Sequence, residues 1–309
     1  MNEQDSLAEH VRETGLINKK QAQLALLSEV TPQKRTVRSP HKRANELDGQ
    51  TWTKYSISIW SDIKKTPEEA ALGHPAMFPL ELPRRLLHCF TIQEETIVLD
   101  PFVGLGSTIL AAEELGKTGI GLDIYPNFIK KAQERLAQLR LPATGDQPAS
   151  NPRSRFHCVD ARYLRRVVPI DSVDIVITSP PYWDILMQAR SADRKSTRHY
   201  GELDADLGRI NNYQKFLESI RDAFEPVHTV LKAGKYCIVV VMDIRKKATL
   251  YPFHSDVVAL MRDIGFIFDD LIIWDRRHEY NNMRPLGFPY RFRINKAHEY
   301  ILIFRKPDR

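Results

Sequence analysis

Thr96-Ile-Val-Leu-Asp-Pro-Phe-Val-Gly-Leu-Gly-Ser-Thr108 joins a short apolar run to a glycine turn and then to the start of an amphipathic segment. The run is rich in branched residues and uncharged until Asp100, which predicts a buried strand. Gly104 and Gly106 let the backbone approach a ligand closely, and Ser107 or Thr108 offers an oxygen to cap the helix that follows. Strand, glycine turn and helix in that order open a βαβ unit, so the stretch predicts a parallel sheet wrapped by helices. A dinucleotide turn would carry a third glycine where Ile109 stands, and no GxxxxGK[ST] sequence occurs. Asp100, at the strand's end, would repel a pyrophosphate and favours a ligand bearing an ammonium or sulfonium charge.

Six more runs read as strands: Thr118–Asp123, Arg155–Asp160, Val173–Thr178, Tyr236–Met242, Phe266–Trp274 and Glu299–Phe304. Helices are expected after the first five strands, among them Thr108–Leu115, Asn127–Leu139 and Tyr213–Leu231. No helical stretch separates the last two strands, which predicts an antiparallel pair. Asp123 closes the second strand, where an acid accepts hydrogen bonds from both hydroxyls of a ribose. Asp160 closes the third, placed to accept from an adenine amino group. Each alone reads better as a cap or turn residue. At three successive strand ends, they would line one crevice at the sheet's C-terminal edge.

The fourth strand runs into Ser179-Pro180-Pro181-Tyr182-Trp183. Two prolines remove two amide donors and hold the chain extended, leaving carbonyls to accept hydrogen bonds. Ser179 adds an acceptor oxygen, and Tyr182 adds a flat face for stacking a base. This set suits an exocyclic amino group on a heterocycle. The nitrogen lone pair is conjugated into the ring, and acceptors holding its hydrogens out of plane would turn it into a nucleophile.

The run Asp100–Thr108 and Thr178-Ser-Pro-Pro-Tyr182 resemble the cofactor and catalytic motifs of S-adenosylmethionine-dependent DNA amino-methyltransferases of the N4-cytosine and N6-adenine type. The resemblance covers most of residues 74–306. It includes His74-Pro-Ala-Met-Phe-Pro79, similar to the segment over the methionine end of the cofactor, and His298–Phe304, similar to the family's last strand. It implies a class I methyltransferase fold: a seven-stranded, mostly parallel sheet with a reversed last strand and helices on both faces. S-adenosyl-L-methionine is the implied cofactor, with no metal and no covalent intermediate. The cofactor residues would be Phe78, Asp100, Pro101, Phe102, Gly104, Gly106, Ser107, Thr108, Asp123, Ile124, Asp160 and Ala161. The catalytic loop would be Ser179, Pro180, Pro181 and Tyr182. In that family a serine at this position accompanies cytosine N4, whereas Asp or Asn accompanies adenine N6, so Ser179 favours cytosine. Carbon-5 chemistry needs a cysteine nucleophile, usually after proline, and Cys89, Cys158 and Cys237 follow His88, His157 and Tyr236. These three cysteines, far apart and without a CxxC pair, also argue against a disulfide scaffold or a zinc site and for a reducing cytoplasm.

An amino group inside a duplex must flip out to reach such a pocket. DNA, double-stranded with base flipping, is therefore the implied partner, in a restriction-modification or solitary setting; a homodimer and a partner nuclease stay open. Net charge is only +6, but it is unevenly spread: Lys34–Arg43 and Arg276–Lys296 each carry +5 and Arg190–Arg198 carries +3, leaving the remainder net acidic. Arg276, Arg277, Arg284, Arg291 and Arg293, interleaved with Tyr280, Phe288, Tyr290 and Phe292, are the expected nucleic-acid contacts. DNA-contacting loops are expected near residues 184–212 and 276–297. Residues 1–50 read as an extension whose basic arm is either a solvated tail or a nucleic-acid arm, and residues 51–309 as the catalytic domain. No apolar run reaches the ~18 residues of a membrane span, and the polar MNEQDSLAEH start is unlike a secretory signal.

Overall fold

Val98 and Leu99 point to opposite faces of one strand, and so do Ile175, Val176 and Ile177, then Ile238, Val239 and Val240, then Ile301, Leu302 and Ile303. Odd and even members of these runs enter two separate apolar clusters, one on each side of a central sheet. A sheet buried on both faces needs such uninterrupted apolar strands, because the two-residue side-chain period feeds both layers. The computed structural model describes residues 44–72, 77–141, 154–185, 203, 205–279, 289–291 and 293–308. They belong to one compact unit, Ala44–Arg309.

The elements in chain order are α1 (Gly49–Tyr55), β1 (Ile59–Trp60), α2 (Pro67–Ala71), α3 (Glu81–Phe90), β2 (Ile97–Asp100), α4 (Ser107–Glu114), β3 (Thr118–Asp123), α5 (Pro126–Leu139), β4 (Arg155–Cys158), β5 (Val173–Thr178), α6 (Tyr213–Val230), β6 (Leu231–Val241), β7 (Ile244–Lys246), β8 (Thr249–Tyr251), α7 (Phe253–Ile264), β9 (Ile267–Asp275) and β10 (His298–Arg305). The main sheet runs β1-β9-β10-β6-β5-β2-β3-β4, and β7 and β8 form a separate hairpin. β10 is antiparallel to both β6 and β9; the other pairs of the main sheet are parallel. All seven expected strands are present, and the last two pair as expected.

Besides the β7–β8 hairpin and an early start of β6 at Leu231, two features differ from the sequence reading. An eighth strand, β1, lies outside β9, pairing Ile59 with Ile273 and Trp60 with Trp274. Two residues carry no readable periodicity; Trp60 is fixed there because its body is buried and its indole N–H donates to the Tyr55 carbonyl at 3.1 Å. After β4 the chain forms a 3-10 segment, Ala161–Arg166, instead of an α-helix, with Tyr163 outside helical geometry.

The first βαβ unit shows how Ile109 is accommodated. A Cβ added to Gly119 would lie 2.5 Å from Ile109 Cγ2, and one on Gly121 would lie 2.7 Å from Val103 Cγ2. The close approach of helix and strand, which a third glycine on the helix provides in dinucleotide folds, is supplied here by two glycines on the strand.

Candidate active site

The parallel strands β2, β3, β4 and β5 end on one edge of the sheet, and their following residues surround a cleft of about 800 Å³, its open mouth included. Asp100, Asp123 and Asp160 all line it. So do Phe78, Pro101, Phe102, Gly104 and Ser107 on one side, Ile124 and Ala161 on another, and Ser179 and Pro181 from the loop after β5. Gly106 and Thr108 are not in the lining. Gly106, at φ 86°, makes the left-handed turn into α4, and Thr108 is wholly buried beneath the cleft.

Asp100 is almost wholly buried and fully hydrogen-bonded. One oxygen accepts from the Phe102 amide at 3.0 Å and the Thr178 hydroxyl at 2.6 Å, the other from the Thr108 hydroxyl at 2.7 Å. The carboxyl thereby ties the glycine turn to the residue just before Ser179. Burial pushes its pKa up to about 6, against the pull of those three donors. Asp123 accepts from the amides of Gly104 at 3.0 Å and Tyr125 at 2.9 Å. It too is pushed up to about 6, by burial first and by neighbouring Asp206 in addition. Asp160 is committed locally: it caps the 3-10 segment and holds the Arg162 guanidinium at 2.6 Å.

The residues before α3 are tied in by Ser107, whose hydroxyl donates to the Phe78 carbonyl at 3.1 Å. Sequence reading missed the wall opposite, made by Tyr125, Phe128 and the segment Ala205–Leu207. Tyr125 donates to Asp206 at 2.8 Å, while the other Asp206 oxygen caps the turn Leu207–Arg209. The only signal was the Asp206-Leu-Gly sequence of a capped turn, inside a stretch expected to contact DNA.

The loop after β5 is anchored by Trp183. Its backbone is left-handed at φ 49°, its indole N–H donates to the Ile210 carbonyl at 2.6 Å, and its ring packs on Tyr213 and Tyr251. Ser179 donates to the Val240 carbonyl at 3.1 Å and lies 3.0 Å from the Tyr182 hydroxyl. Pro180 is buried and outside the lining. Tyr182, expected to offer a stacking face, is also outside it: its hydroxyl donates to Glu299 at 2.8 Å and its ring meets Phe253 edge-on.

The arginines divide. Arg276, expected on phosphates, turns inward: its guanidinium bonds Glu299 and Glu279 and lies over the Trp274 ring, because buried Glu299 requires a countercharge. Arg277 is exposed but bonded to Asp275 at 2.6 Å. Arg291 is exposed, and Arg293 donates to the Lys247 carbonyl at 3.1 Å. Arg284, Tyr280, Phe288, Phe292, His74 and the segments Lys34–Arg43 and Arg190–Arg198 lie outside the described residues. Among the described residues, no helix is long and apolar enough to cross a membrane.

A family model described as DNA methylase matches residues 2–134 and 173–309. Among curated proteins, the chain is 35% identical over 106 residues to the type II methyltransferase M.MjaI of Methanocaldococcus jannaschii, covering 34% of this chain and 35% of that one. It is 30% identical over 147 residues to M.MthZI of Methanothermobacter thermautotrophicus (44% and 40%) and 33% identical over 86 residues to the type II beta methyltransferase M.BslI of a Bacillus strain (28% and 9%). The matches thus span well under two thirds of these relatives. Among solved structures, a Thermus thermophilus protein complexed with S-adenosyl-L-methionine is 28% identical, at TM-score 0.34, over 48% of this chain and 53% of that one. The mostly parallel sheet with one reversed strand gives this chain a class I methyltransferase fold, and the match across both halves shows that it belongs to the N6/N4 DNA methylase family.

Proposed function

We propose that the chain transfers a methyl group from S-adenosyl-L-methionine to an exocyclic amino group of a DNA base, N4 of cytosine in preference to N6 of adenine, on a nucleotide flipped out of the duplex. The observation that carries this reading is that Ser179 and Pro181 line the same cleft as Asp100 and Asp123. One cavity therefore holds both a carboxylate-lined cradle and an acceptor for an amine.

The cleft fits the cofactor by its chemistry. Asp123 lies where ribose hydroxyls would be held, and buried Asp100 lies behind the glycine turn as the charge complement of a sulfonium. The bound cofactor would supply an electrophilic methyl group. Ser179 would accept a hydrogen bond from the target amine and turn its lone pair toward that methyl; the apolar walls Phe78 and Phe102 would exclude water. Flipping costs a few kcal/mol, which contacts outside the cleft have to offset. Residues 51–309 are the proposed catalytic segment.

Mixed-sequence DNA incubated with labelled S-adenosyl-L-methionine tests this, with nucleoside identification of the product and RNA offered in parallel. N4-methylcytosine in DNA is the expected product. N6-methyladenine would reassign the base, label in RNA alone would reassign the substrate, and no cofactor binding in calorimetry would leave a DNA-binding module.

A further inference from the structure

The Tyr182 hydroxyl has one hydrogen to give, and its polar neighbours include Glu299 at 2.8 Å, Ser179 at 3.0 Å and the Val240 carbonyl at 3.4 Å. Glu299 is 5% exposed, and its second oxygen is bonded to Arg276. A carboxylate paired with guanidinium only accepts, and a charged acceptor at the shortest distance takes the tyrosine hydrogen. Ser179 then gives its own hydrogen to Tyr182 or to Val240, and in either case its lone pairs are left to face the cleft that it lines. With the tyrosine hydrogen turned the other way, Ser179 would receive a hydrogen bond from within the protein, competing with the substrate amine.

We propose that Glu299, held by Arg276, is a positioning residue that draws off the Tyr182 hydrogen and so sets Ser179 as a hydrogen-bond acceptor toward the substrate amine. This rests on the methyl-transfer reading above and adds to it a device in the last strand, outside the catalytic loop.

Glu299→Gln tests it. Arg276 has only donors and claims the amide oxygen, so the amide NH2 faces Tyr182, and the tyrosine hydrogen is driven toward Ser179 or Val240. The expected result is a fall in kcat of roughly tenfold to a hundredfold, the scale of one misdirected hydrogen bond, with unchanged cofactor affinity. Adding Tyr182→Phe removes the misdirected hydrogen, so the double variant should turn over faster than Glu299→Gln alone. Unaltered kcat in Glu299→Gln, or a double variant no faster than the single one, overturns the inference. Should Glu299→Gln fail to fold, Arg276→Lys against Arg276→Met carries the comparison: higher kcat in the lysine variant supports the device and equal kcat overturns it. A wild-type chain that methylates no nucleic acid overturns the function reading itself and this inference with it.

Discussion

Asp100 and Asp123 are carboxyls that burial holds near a pKa of about 6, close to neutral pH and well above the usual carboxylate range. A sulfonium cation and a pair of ribose hydroxyls both prefer the ionised form. The ionised fraction falls as pH drops through 6, so cofactor affinity should fall with it. About tenfold is expected between pH 7.5 and pH 5 for each carboxylate whose charge the ligand needs. Calorimetric titration at several pH values, with proton release measured near pH 6, checks this. A flat affinity over that range would remove both groups from the cofactor's charge complement. For the unliganded fold the sign is opposite. With the folded pKa above the unfolded one, the stabilising contribution of each group is complete below about pH 4 and is lost as pH rises through 6.

At the scale of elements, β3 and α4 are in contact because Gly119 and Gly121 leave room for Ile109 and Val103. Gly121→Ala should destabilise the fold by about 1–3 kcal/mol through overpacking, measured as a lower midpoint in denaturant unfolding. The same change at Gly49, with nothing within 4 Å of an added Cβ, is the control. An equal effect at both positions would show that the strand glycines do not govern this packing. Elements of this kind were legible in the sequence because strand and helix periodicities are local: β3 and β5 run over the expected residues, and α4 and α5 each begin one residue before the expected start. β1 was not, since two residues have no period and its place depends on Trp274, more than two hundred positions away. The site divided along the same line. Residues beside the glycine turn and strand ends were readable, whereas the Tyr125–Asp206 wall and the Arg276–Glu299 pair join separate segments and left no local signature beyond the capped turn at Asp206.

For the whole molecule, the uneven charge points to the connection between β9 and β10 as the expected DNA surface. Arg276 is excluded from it by its inward pairing, and Arg277 shares its charge with Asp275. Arg291 and Arg293 are the described arginines of that connection left to meet phosphates. Reversing both to Glu should weaken DNA binding across sequences and reduce the slope of log affinity against log salt by roughly two. Binding titrations across a salt series read this directly, and an unchanged slope would move the surface elsewhere.

β1 also bears on how the chain is completed during synthesis. Ile59 finds its partner only when Ile273 has been made, so this edge of the sheet is among the last to close on the ribosome. Pairings of such long sequence separation are slow to form, and an open β9 edge is a template for a second chain. The two residues Ile59 and Trp60 therefore act as a late seal on the Ile273–Trp274 end of β9, the part of this edge they pair with.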